Sequence, residues 1–383
     1  MMCKLSDICE FVKGKVAVSN LTKTNYISTE NMLPNRGGIV EAATLPSVDT
    51  TQTYTNGDIL VSNIRPYFKK IWFATTSGGC SNDVLVFRAK KDVNPSCLYY
   101  ILSDDRFFNY ATATSKGTKM PRGDKIAIMN YEIEKHTRSE QDAIASILRP
   151  IDEKISLNRE INNNLEEQLK ALFAKMFGKQ IDDLSDSSVK LGDLITSIDN
   201  RGKTPPLVEE STEYPIIDVK ALSGDTRIID YSNCTKYVAQ STYDTWFRSG
   251  HPQQYDILIS TVGSLASMKV FLGNKGCIAQ NVVGFRSKSV SPLYLYQYLN
   301  YIKADLLAYD IGSVQPSIKV THIIKHPVFV PCKSAIDEFD SIARSVTESL
   351  FVNSNEIRKL TSIRDAILPR LMSGEVDVSA IEI

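Results

Sequence analysis

Apolar residues recur at alternating steps of four and three along two stretches of the chain, which predicts two long helices with an apolar seam. The first stretch covers 139–178, and the pattern begins again at Phe339, the counterpart of Ile144. Such steps are typical of a coiled coil. The predicted seam comprises Ile144, Leu148, Ile155, Asn158, Leu165 and Leu169 in the first helix, and Leu350, Asn353, Ile357 and Leu360 in the second.

Two apolar seams in one chain can bury each other, and the long segment between them lets the helices run antiparallel. Asn158 and Asn353 occupy the same position of the repeated pattern, where a buried Asn can fix the register of a coiled coil. The alternative is that both face solvent where the seam loosens. Pro150 lies inside the first helix and predicts a kink or a restart there.

The segments outside the helices mix short β-rich runs with turn residues, and the second segment repeats the first. In sequence, residues 190–194 correspond to 4–8, residues 255–260 to 57–62, and residues 312–316 to 117–121. Strands are predicted at 58–62 and 84–87, and short helices at 98–110 and 293–309. The predicted fold class is α+β: two similar mixed domains and two long helices forming an antiparallel coiled coil, with an internal repeat about a pseudo-twofold axis.

The repeat also sets the predicted boundaries. The first mixed domain covers 1–137, the first long helix 138–178, a linker 179–188, the second mixed domain 189–334, the second long helix 335–374 and a tail 375–383. A helix of about 33 residues is about 50 Å long, which exceeds the ~34 Å of one turn of B-DNA.

Composition narrows the class of protein. The chain has 383 residues, with 44 Lys and Arg balanced by 44 Asp and Glu, so an anionic partner must be met by local patches. No apolar run approaches the roughly 20 residues of a membrane span and no signal-peptide core is present, so we expect a cytoplasmic protein. Seven cysteines, odd in number and widely spread, predict reduced and mostly buried thiols rather than disulfides or a zinc site.

The sequence lacks the motifs that an enzyme would need to bind nucleotides, transfer methyl groups or bind a metal. Gly202, Lys203 and Thr204 resemble the end of a phosphate loop, but Ser197 stands where that loop needs glycine, and two prolines follow. The dinucleotide motif G-x-G-x-x-G, the N-P-P-Y-like tetrad of amino-methyltransferases and metal-ligand spacing of histidines are all absent. These observations favour a reader or scaffold over an enzyme acting alone.

Polar and basic loops at 62–70, 116–125, 199–204 and 312–319 are the candidate DNA contacts. Lys and Arg suit phosphates, and Arg, Asn and Gln suit base edges. The alternative is an ordinary solvated surface, but recurrence in a duplicated unit favours binding. The predicted DNA-binding residues are Asn63, Arg65, Tyr67, Lys69, Lys116, Thr118, Lys119, Arg122, Arg201, Lys203, Thr204, Ser264, Ser313, Gln315 and Lys319.

Four strings give the chain a family resemblance: SEQDAIASIL at 139–148, NIRPY at 63–67, GSVQP at 312–316 and LPRLMSGEV at 368–376. With the alternation of domains and helices, the chain resembles the specificity subunit of type I restriction-modification systems over nearly its whole length. The loop at 117–120 departs from the pattern because it lacks the glutamine of its counterpart at 312–316.

The resemblance implies that each recognition domain reads one half of a split target in double-stranded DNA and that the helices set the gap. It implies two methyltransferase subunits docked on polar helix flanks that include Glu160, Glu166 and Lys170, with restriction subunits joining them. S-adenosylmethionine, ATP and Mg are then expected on the partners, no cofactor or metal on this chain, and no catalysis by this chain alone.

Two rival functions remain open from the residues. The first is a self-contained DNA-modifying enzyme with degenerate motifs, which methyl transfer by the isolated chain would support. The second is a protein-only helical scaffold, which failure of the assembled complex to bind DNA would support.

Overall fold

The computed structural model describes residues 2–184, 189–273, 275–312 and 315–378. The chain divides into two compact units, Met1–Ile155 with Lys359–Ile383, and Ser156–Arg358. We call these unit 1 and unit 2. Part of the predicted linker, 185–188, and the end of the predicted tail, 379–383, lie outside the described residues.

Unit 1 contains two four-stranded sheets and a two-stranded ribbon. The first sheet is antiparallel, with the strand order Cys9–Phe11, Val84–Ala89, Ile59–Ser62, Ile71–Phe73. The second has the order Lys15–Ala17, Thr50–Tyr54, Gly78–Cys80, Tyr26–Ile27, and its last pair is parallel. The ribbon joins Met2–Lys4 to Glu132–Glu134. Short helices cover Leu5–Ile8, Pro95–Ser103, Asp105–Ala113 and Lys125–Met129, with 3-10 turns at Val18–Asn20 and Pro66–Phe68.

Unit 2 repeats the first sheet of unit 1. Its antiparallel strands follow the order Ile195–Ile198, Val282–Ser287, Ile257–Ser260, Met268–Val270. The helices of this unit outside the long pair are Leu191–Leu194, Gln240–Trp246, Pro292–Tyr301, Lys303–Leu307 and Val320–Ile323, with a 3-10 turn at Tyr231–Asn233. The same strand order in both units confirms the predicted duplication of a mixed α+β domain.

An ion pair between a buried aspartate and a partly exposed arginine recurs in both units. In unit 1, Arg88 Nε and Nη2 each lie 2.7 Å from the Asp58 carboxylate. In unit 2, Arg286 lies 3.1 Å and 2.7 Å from the Asp256 carboxylate. Both aspartates are almost fully buried, and each is held by a side chain from the neighbouring strand. The duplication therefore preserves polar core contacts as well as apolar ones.

The two predicted long helices are present. The first runs over Arg138–Phe173 and continues through a π-helical turn, Ala174–Gly178, and Lys179–Asp182, so it extends into the predicted linker. The second runs over Lys333–Met372. The first helix does not restart at Pro150 but continues through it.

Within each unit the two helices run antiparallel. In unit 1, Ile144 and Leu148 pack in one cluster with Leu368 and Leu371, and Asp152 lies 2.8 Å from Arg364. In unit 2, two further pairs follow the same antiparallel order, a hydrogen bond from Asn158 to Glu356 and a ring contact between Phe173 and Phe339. The predicted antiparallel pairing is confirmed in both units.

The seam is apolar near its ends and polar near its middle. Ile144, Leu148, Ile155, Leu169 and Leu350 are buried, whereas Leu165, Ile357 and Leu360 are half-buried. The solvent-facing alternative is wrong for Asn158, which is 1% exposed and donates to Glu356 Oε2 at 2.7 Å. The half-buried Asn353 donates to Asn162 Oδ1 at 2.9 Å, so the two asparagines with equivalent positions have different partners.

The two predicted short helices are each interrupted in the structure. In 98–110, Asp104 leaves helical geometry with a ψ of 140° and caps a second helix. In 293–309, a cap at Ile302 separates Pro292–Tyr301 from Lys303–Leu307.

The cysteines are free thiols, and five of them are buried: Cys9, Cys80, Cys97, Cys234 and Cys277. Burial raises the pKa of each of these five thiols to about 12.

Candidate nucleic-acid interface

Two of the predicted loops in unit 1 lie side by side at one edge of the first sheet. Residues 63–70 connect the strands Ile59–Ser62 and Ile71–Phe73, and residues 116–123 precede the helix Lys125–Met129. The Arg65 N–H donates to the Pro121 carbonyl at 2.8 Å, and the Gly123 N–H donates to the Asn63 carbonyl at 3.2 Å. We call 63–70 and 116–123 the first loop pair.

Unit 2 builds the same arrangement from different residues. The Gly263 N–H donates to the Pro316 carbonyl at 3.0 Å, and the Ile318 N–H donates to the Thr261 carbonyl at 2.9 Å. Residues 261–267 connect the strands Ile257–Ser260 and Met268–Val270, as 63–70 do in unit 1. We call 261–267 and the described residues of 310–318 the second loop pair. Ser313, a predicted contact, lies outside the described residues.

The backbone at the start of each loop pair turns in the left-handed region. Arg65 has a φ of 51° and Gly263, its counterpart, a φ of 81°. Glycine adopts this conformation freely, whereas arginine does so at a cost that surrounding contacts must offset. Unit 1 thus carries an arginine where unit 2 has a glycine, and in unit 2 the Gln315 amide nitrogen lies 4.0 Å from the position that a Cβ would take at Gly263.

Residues 199–204 do not occupy the position in unit 2 that 63–70 occupy in unit 1. They follow Ile195–Ile198, the outer strand, and return to the sheet edge through a hydrogen bond from Gln280 to Thr204. The next residue, Asn281, accepts from the Thr261 N–H at 2.8 Å. Thr204 therefore lies at the edge that carries the second loop pair, with Lys203 next to it in the chain, whereas the Arg201 guanidinium binds Asp199.

The internal repeat identifies two further candidate cations that are not among the predicted DNA-binding residues. The backbone N–H of Lys4 binds Asp7 as that of Lys190 binds Asp193. Continued along the chain, this register places Lys15 at the position of Arg201, two residues after Lys13. Lys13 and Lys15 are exposed. Applying the spacing of the repeat to Arg201 would have found them.

The predicted cations fall into two groups according to their ion pairs. Lys69 lies 2.8 Å from Asp105, Lys116 2.5 Å from Asp124, and Arg122 3.1 Å from Asp83; Arg201 lies 2.6 Å from Asp199. Among the described residues, no carboxylate pairs with the second group, Arg65, Lys119, Lys203 and Lys319, or with Lys13 and Lys15. The second group is therefore the one available to an anionic ligand.

The pKa values of the pairing carboxyl groups reflect these contacts. The hydrogen bond from Lys116 lowers the pKa of Asp124, and that from Arg201 lowers the pKa of Asp199. For Asp105, burial acts against the charged form, but hydrogen bonds from Lys69 and Arg36 outweigh it and lower its pKa. All three carboxyl groups are consequently ionised at neutral pH.

The remaining predicted residues differ in accessibility. Asn63 is 8% exposed and its Oδ1 has no hydrogen-bond partner among the described residues; the same is true of the buried Arg65 Nε. Tyr67 is 48% exposed. Thr118, Ser264, Gln315 and Lys319 are exposed. The first loop pair therefore combines two buried polar atoms that lack partners with accessible side chains around them.

One predicted partner-binding position is wrong. Glu166 is buried in unit 2, where its carboxylate holds the Arg227 guanidinium at 2.8 Å, so it does not face a partner. The opposite side of the first helix instead carries two exposed apolar side chains: Leu157 is 50% exposed and Ile161 38%. Val352 of the second helix is 63% exposed.

The part of the chain that the structure describes contains no helix both long and apolar enough to cross a bilayer. Within those same ranges, His, Cys, Asp and Glu side chains do not gather in a group that could hold a metal ion.

Comparison with known proteins gives a family match over most of the chain. A family model described as the type I restriction modification DNA specificity domain matches residues 1–167 and 187–338. The type I restriction enzyme HindI specificity subunit of Haemophilus influenzae is 24% identical over 457 aligned positions, which cover 97% of this chain and 98% of that protein. The type I restriction enzyme MjaIX specificity subunit of Methanocaldococcus jannaschii is 23% identical over 339 positions, 79% of this chain and 73% of that one.

A solved structure has the same fold. The crystal structure of a type I restriction-modification system S subunit from M. genitalium superposes with a TM-score of 0.56 at 17% identity, covering 97% of this chain and 96% of that one.

Proposed function

The chain belongs to the family of type I restriction-modification DNA specificity subunits, and on that premise we propose that its two recognition domains read the two halves of a bipartite DNA target. The long helices set the length of the unread gap between the halves. The rest of the reaction, methyl transfer and cleavage, belongs to partner subunits. This chain alone catalyses neither.

The observation that carries the proposal is the repeated loop pair. Equivalent backbone hydrogen bonds join equivalent loops in unit 1 and in unit 2. In each unit the loops lie at the equivalent edge of that unit's own antiparallel sheet. Cations without carboxylate partners lie in or beside these loops in both units. A duplicated frame with different side chains is what two readers of two different half-sites require, because the frame positions the protein and the side chains specify the bases.

The side chains suggest a division of roles. Arg65, without a carboxylate partner and held by a left-handed turn, suits the O6 and N7 acceptors of guanine, and Gln315 suits adenine. Lys119, Lys203 and Lys319 are exposed and suit phosphates. The paired cations Lys69, Lys116, Arg122 and Arg201 contribute less, because DNA must compete with a carboxylate already in place.

We test this division with Arg65→Ala and Gln315→Ala in the assembled complex. Each should cost about 1 to 3 kcal/mol on the cognate target and relax specificity in one half-site only, a different half for each variant. Arg65→Lys is the matched control for charge: it should retain the salt dependence of binding but not the base preference. Uniform weakening on all sequences would assign these side chains to phosphates, and parental affinity and specificity would show that the wrong loops were chosen.

The apolar face of the helix pair supports the docking of two methyltransferase subunits. Leu157, Ile161 and Val352 each precede a seam position by one residue, and equivalent positions of two antiparallel helices lie on the same flank. They form a stripe in unit 2 opposite the side where Glu166 meets Arg227. The partners would bring S-adenosylmethionine, and restriction subunits would bring the use of ATP and Mg.

Two results would favour the rival functions. Methyl transfer by the isolated chain would indicate a self-contained enzyme. An assembled complex that shifts no DNA in a gel would indicate a scaffold.

A further inference from the structure

A pair of aromatic side chains projects from the first loop pair. Tyr67 and Phe68 are 48% and 39% exposed, and their ring centroids lie 4.8 Å apart at an angle of 56°. Single exposed apolar residues are ordinary, but two adjacent aromatic rings on one turn form a defined apolar tip. Met120, beside the Pro121 that binds Arg65, is a further exposed apolar side chain at 48%. We call Tyr67 and Phe68 the aromatic tip.

The backbone under the aromatic tip is fixed from both ends. The 3-10 turn Pro66–Phe68 is bracketed by Arg65 and Lys69, both left-handed, with φ values of 51° and 52°. Such strained residues persist where the surroundings determine them, and they cluster at ligand-binding sites. The tip therefore projects in one backbone conformation, which reduces the entropy lost when a ligand orders it.

A second segment of unit 1 supplies those surrounding contacts. The Asn35 N–H donates to the Phe68 carbonyl at 2.8 Å, and the Arg36 N–H donates to the Lys69 carbonyl at 3.0 Å. The side chains of Arg36 and Lys69 both bind Asp105. Three separate segments, which contain Arg36, Asp105 and Pro121, thus hold a turn whose aromatic side chains are 48% and 39% exposed.

The charge around the aromatic tip matches DNA. Arg65 precedes the turn, and Lys119 and Arg122 flank Pro121 in the adjacent loop. An apolar tip whose loop pair holds two cations without a carboxylate partner among the described residues, Arg65 and Lys119, complements a surface that is anionic at its rim and has an apolar group within. In DNA that group is the thymine methyl, which lies in the major groove between the phosphate backbones.

The shape of the aromatic tip opposes two other uses of aromatic rings on DNA. Two rings whose centroids are 4.8 Å apart are too thick to enter as a unit between base pairs spaced about 3.4 Å. A tilt of 56° between them also presents no common flat face on which an extruded base could stack. Contact with the edges of stacked bases remains.

We propose that Tyr67 and Phe68 read the first half of the DNA target by apolar contact with thymine methyl groups in the major groove. The inference rests on the proposed function and deepens it. It applies to one half-site only, because the counterpart loop at 261–267 contains no aromatic residue. The two halves of the target are therefore read by different chemistry on the same frame.

The test measures base preference at every position of both half-sites, using the full chain assembled with its modification subunits and a library of randomised targets. Tyr67→Ala and Phe68→Ala should lower the preference for an A·T pair at one or more positions of a single half-site, by roughly fourfold for each thymine methyl that no longer meets a ring. Tyr67→Phe should retain the preference, because the hydroxyl is not used. Val48→Ala, which also shortens an exposed apolar side chain of unit 1, is the matched control and should change nothing.

A second measurement replaces thymine with deoxyuridine at the relaxed positions. The parent should lose the same roughly fourfold preference, and the alanine variants should lose nothing more. An unchanged profile, a uniform loss across all positions, or relaxation at G·C pairs alone would overturn the inference while leaving bipartite reading intact. A parent complex without any sequence preference would instead overturn the proposed function.

Discussion

Replacing Glu166 with Gln should destabilise unit 2, because it leaves Arg227 buried without a counter-ion. Arg227 is 0% exposed, and its Nε and Nη2 lie 2.8 to 3.2 Å from the Glu166 carboxylate. Its other side-chain hydrogen bonds go to neutral groups, Thr347 at 3.1 Å and Gln297 at 3.2 Å. These neutral partners cannot offset the charge of the Arg227 guanidinium, which the substitution leaves without a counter-ion.

The expected loss is about 3 kcal/mol, the lower end of the range of roughly 3 to 5 kcal/mol for breaking a buried ion pair. The lower end applies because the Gln oxygen can still accept from the Arg227 backbone N–H, now 2.7 Å from Glu166 Oε1. The paired replacement of Glu166 and Arg227 by Met should recover most of the loss, since removing both charges also removes their desolvation cost.

Urea unfolding followed by tryptophan fluorescence isolates this effect, because the chain has two tryptophans, Trp72 in unit 1 and Trp246 in unit 2. A Trp72→Phe background reports unit 2 alone. Glu167→Gln is the matched control: its exposed pair with Lys170 is worth at most about 1 kcal/mol. The reasoning fails if Glu166→Gln costs less than about 1 kcal/mol, or if the double replacement costs as much as the two single ones together.

Two further predictions concern unit 2. Leu157→Glu and Ile161→Glu should each weaken capture of the methyltransferase subunits by about 1 to 3 kcal/mol, because a charge replaces an apolar side chain that the partner would cover. Titration binding measures this, with Leu307→Glu as the control, because Leu307 is exposed and lies outside the long helices. Equal affinities for the helix variants and the control would remove the docking stripe. Burial lowers the pKa of Lys269 from 10.5 to about 8. Between these values the unfolded state binds more protons, so this group makes the free energy of unfolding rise with pH, by about 1 kcal/mol from pH 7 to 9. Lys269→Met should lack that rise in urea titrations at each pH, and an equal rise in the variant would contradict the assignment.

The long helices and the duplication could be predicted because both are local or periodic signals. An apolar seam over about nine turns identifies a helix without knowledge of its surroundings, and a repeated string such as 255–260 identifies its own counterpart. The partners across the helix pair could not be predicted in this way. Asn353 binds Asn162 rather than Asn158 because the alignment of antiparallel helices depends on how each domain packs against them.

Glu166 shows why surface position could not be predicted from the helix pattern alone. It lies one residue beyond the seam, where a charged side chain is ordinarily solvated. A loop 61 residues further along the chain brings Arg227 over it and removes both from water. Long-range contacts of this kind leave no mark in the local sequence.

The candidate interface could also be predicted only in part from the sequence. Its loops were identifiable from composition, but which cations lack a carboxylate partner depends on tertiary contacts such as Lys69 with Asp105. The left-handed turn at Arg65 is likewise a property of the fold rather than of the residue type. Lys13 and Lys15 were within reach of sequence reasoning, because the repeat maps Arg201 onto Lys15.

The central claim is that two recognition domains read two half-sites at a distance set by the helices. Single-molecule methylation sequencing of a host that carries this chain and its partner subunits tests it most directly, with and without one heptad inserted into both helices. The predicted result is a bipartite methylated target whose unread gap lengthens, by about three base pairs from the ~10.5 Å of added helix, while both halves stay the same. A contiguous target, or a gap that the insertion leaves unchanged, would contradict the account.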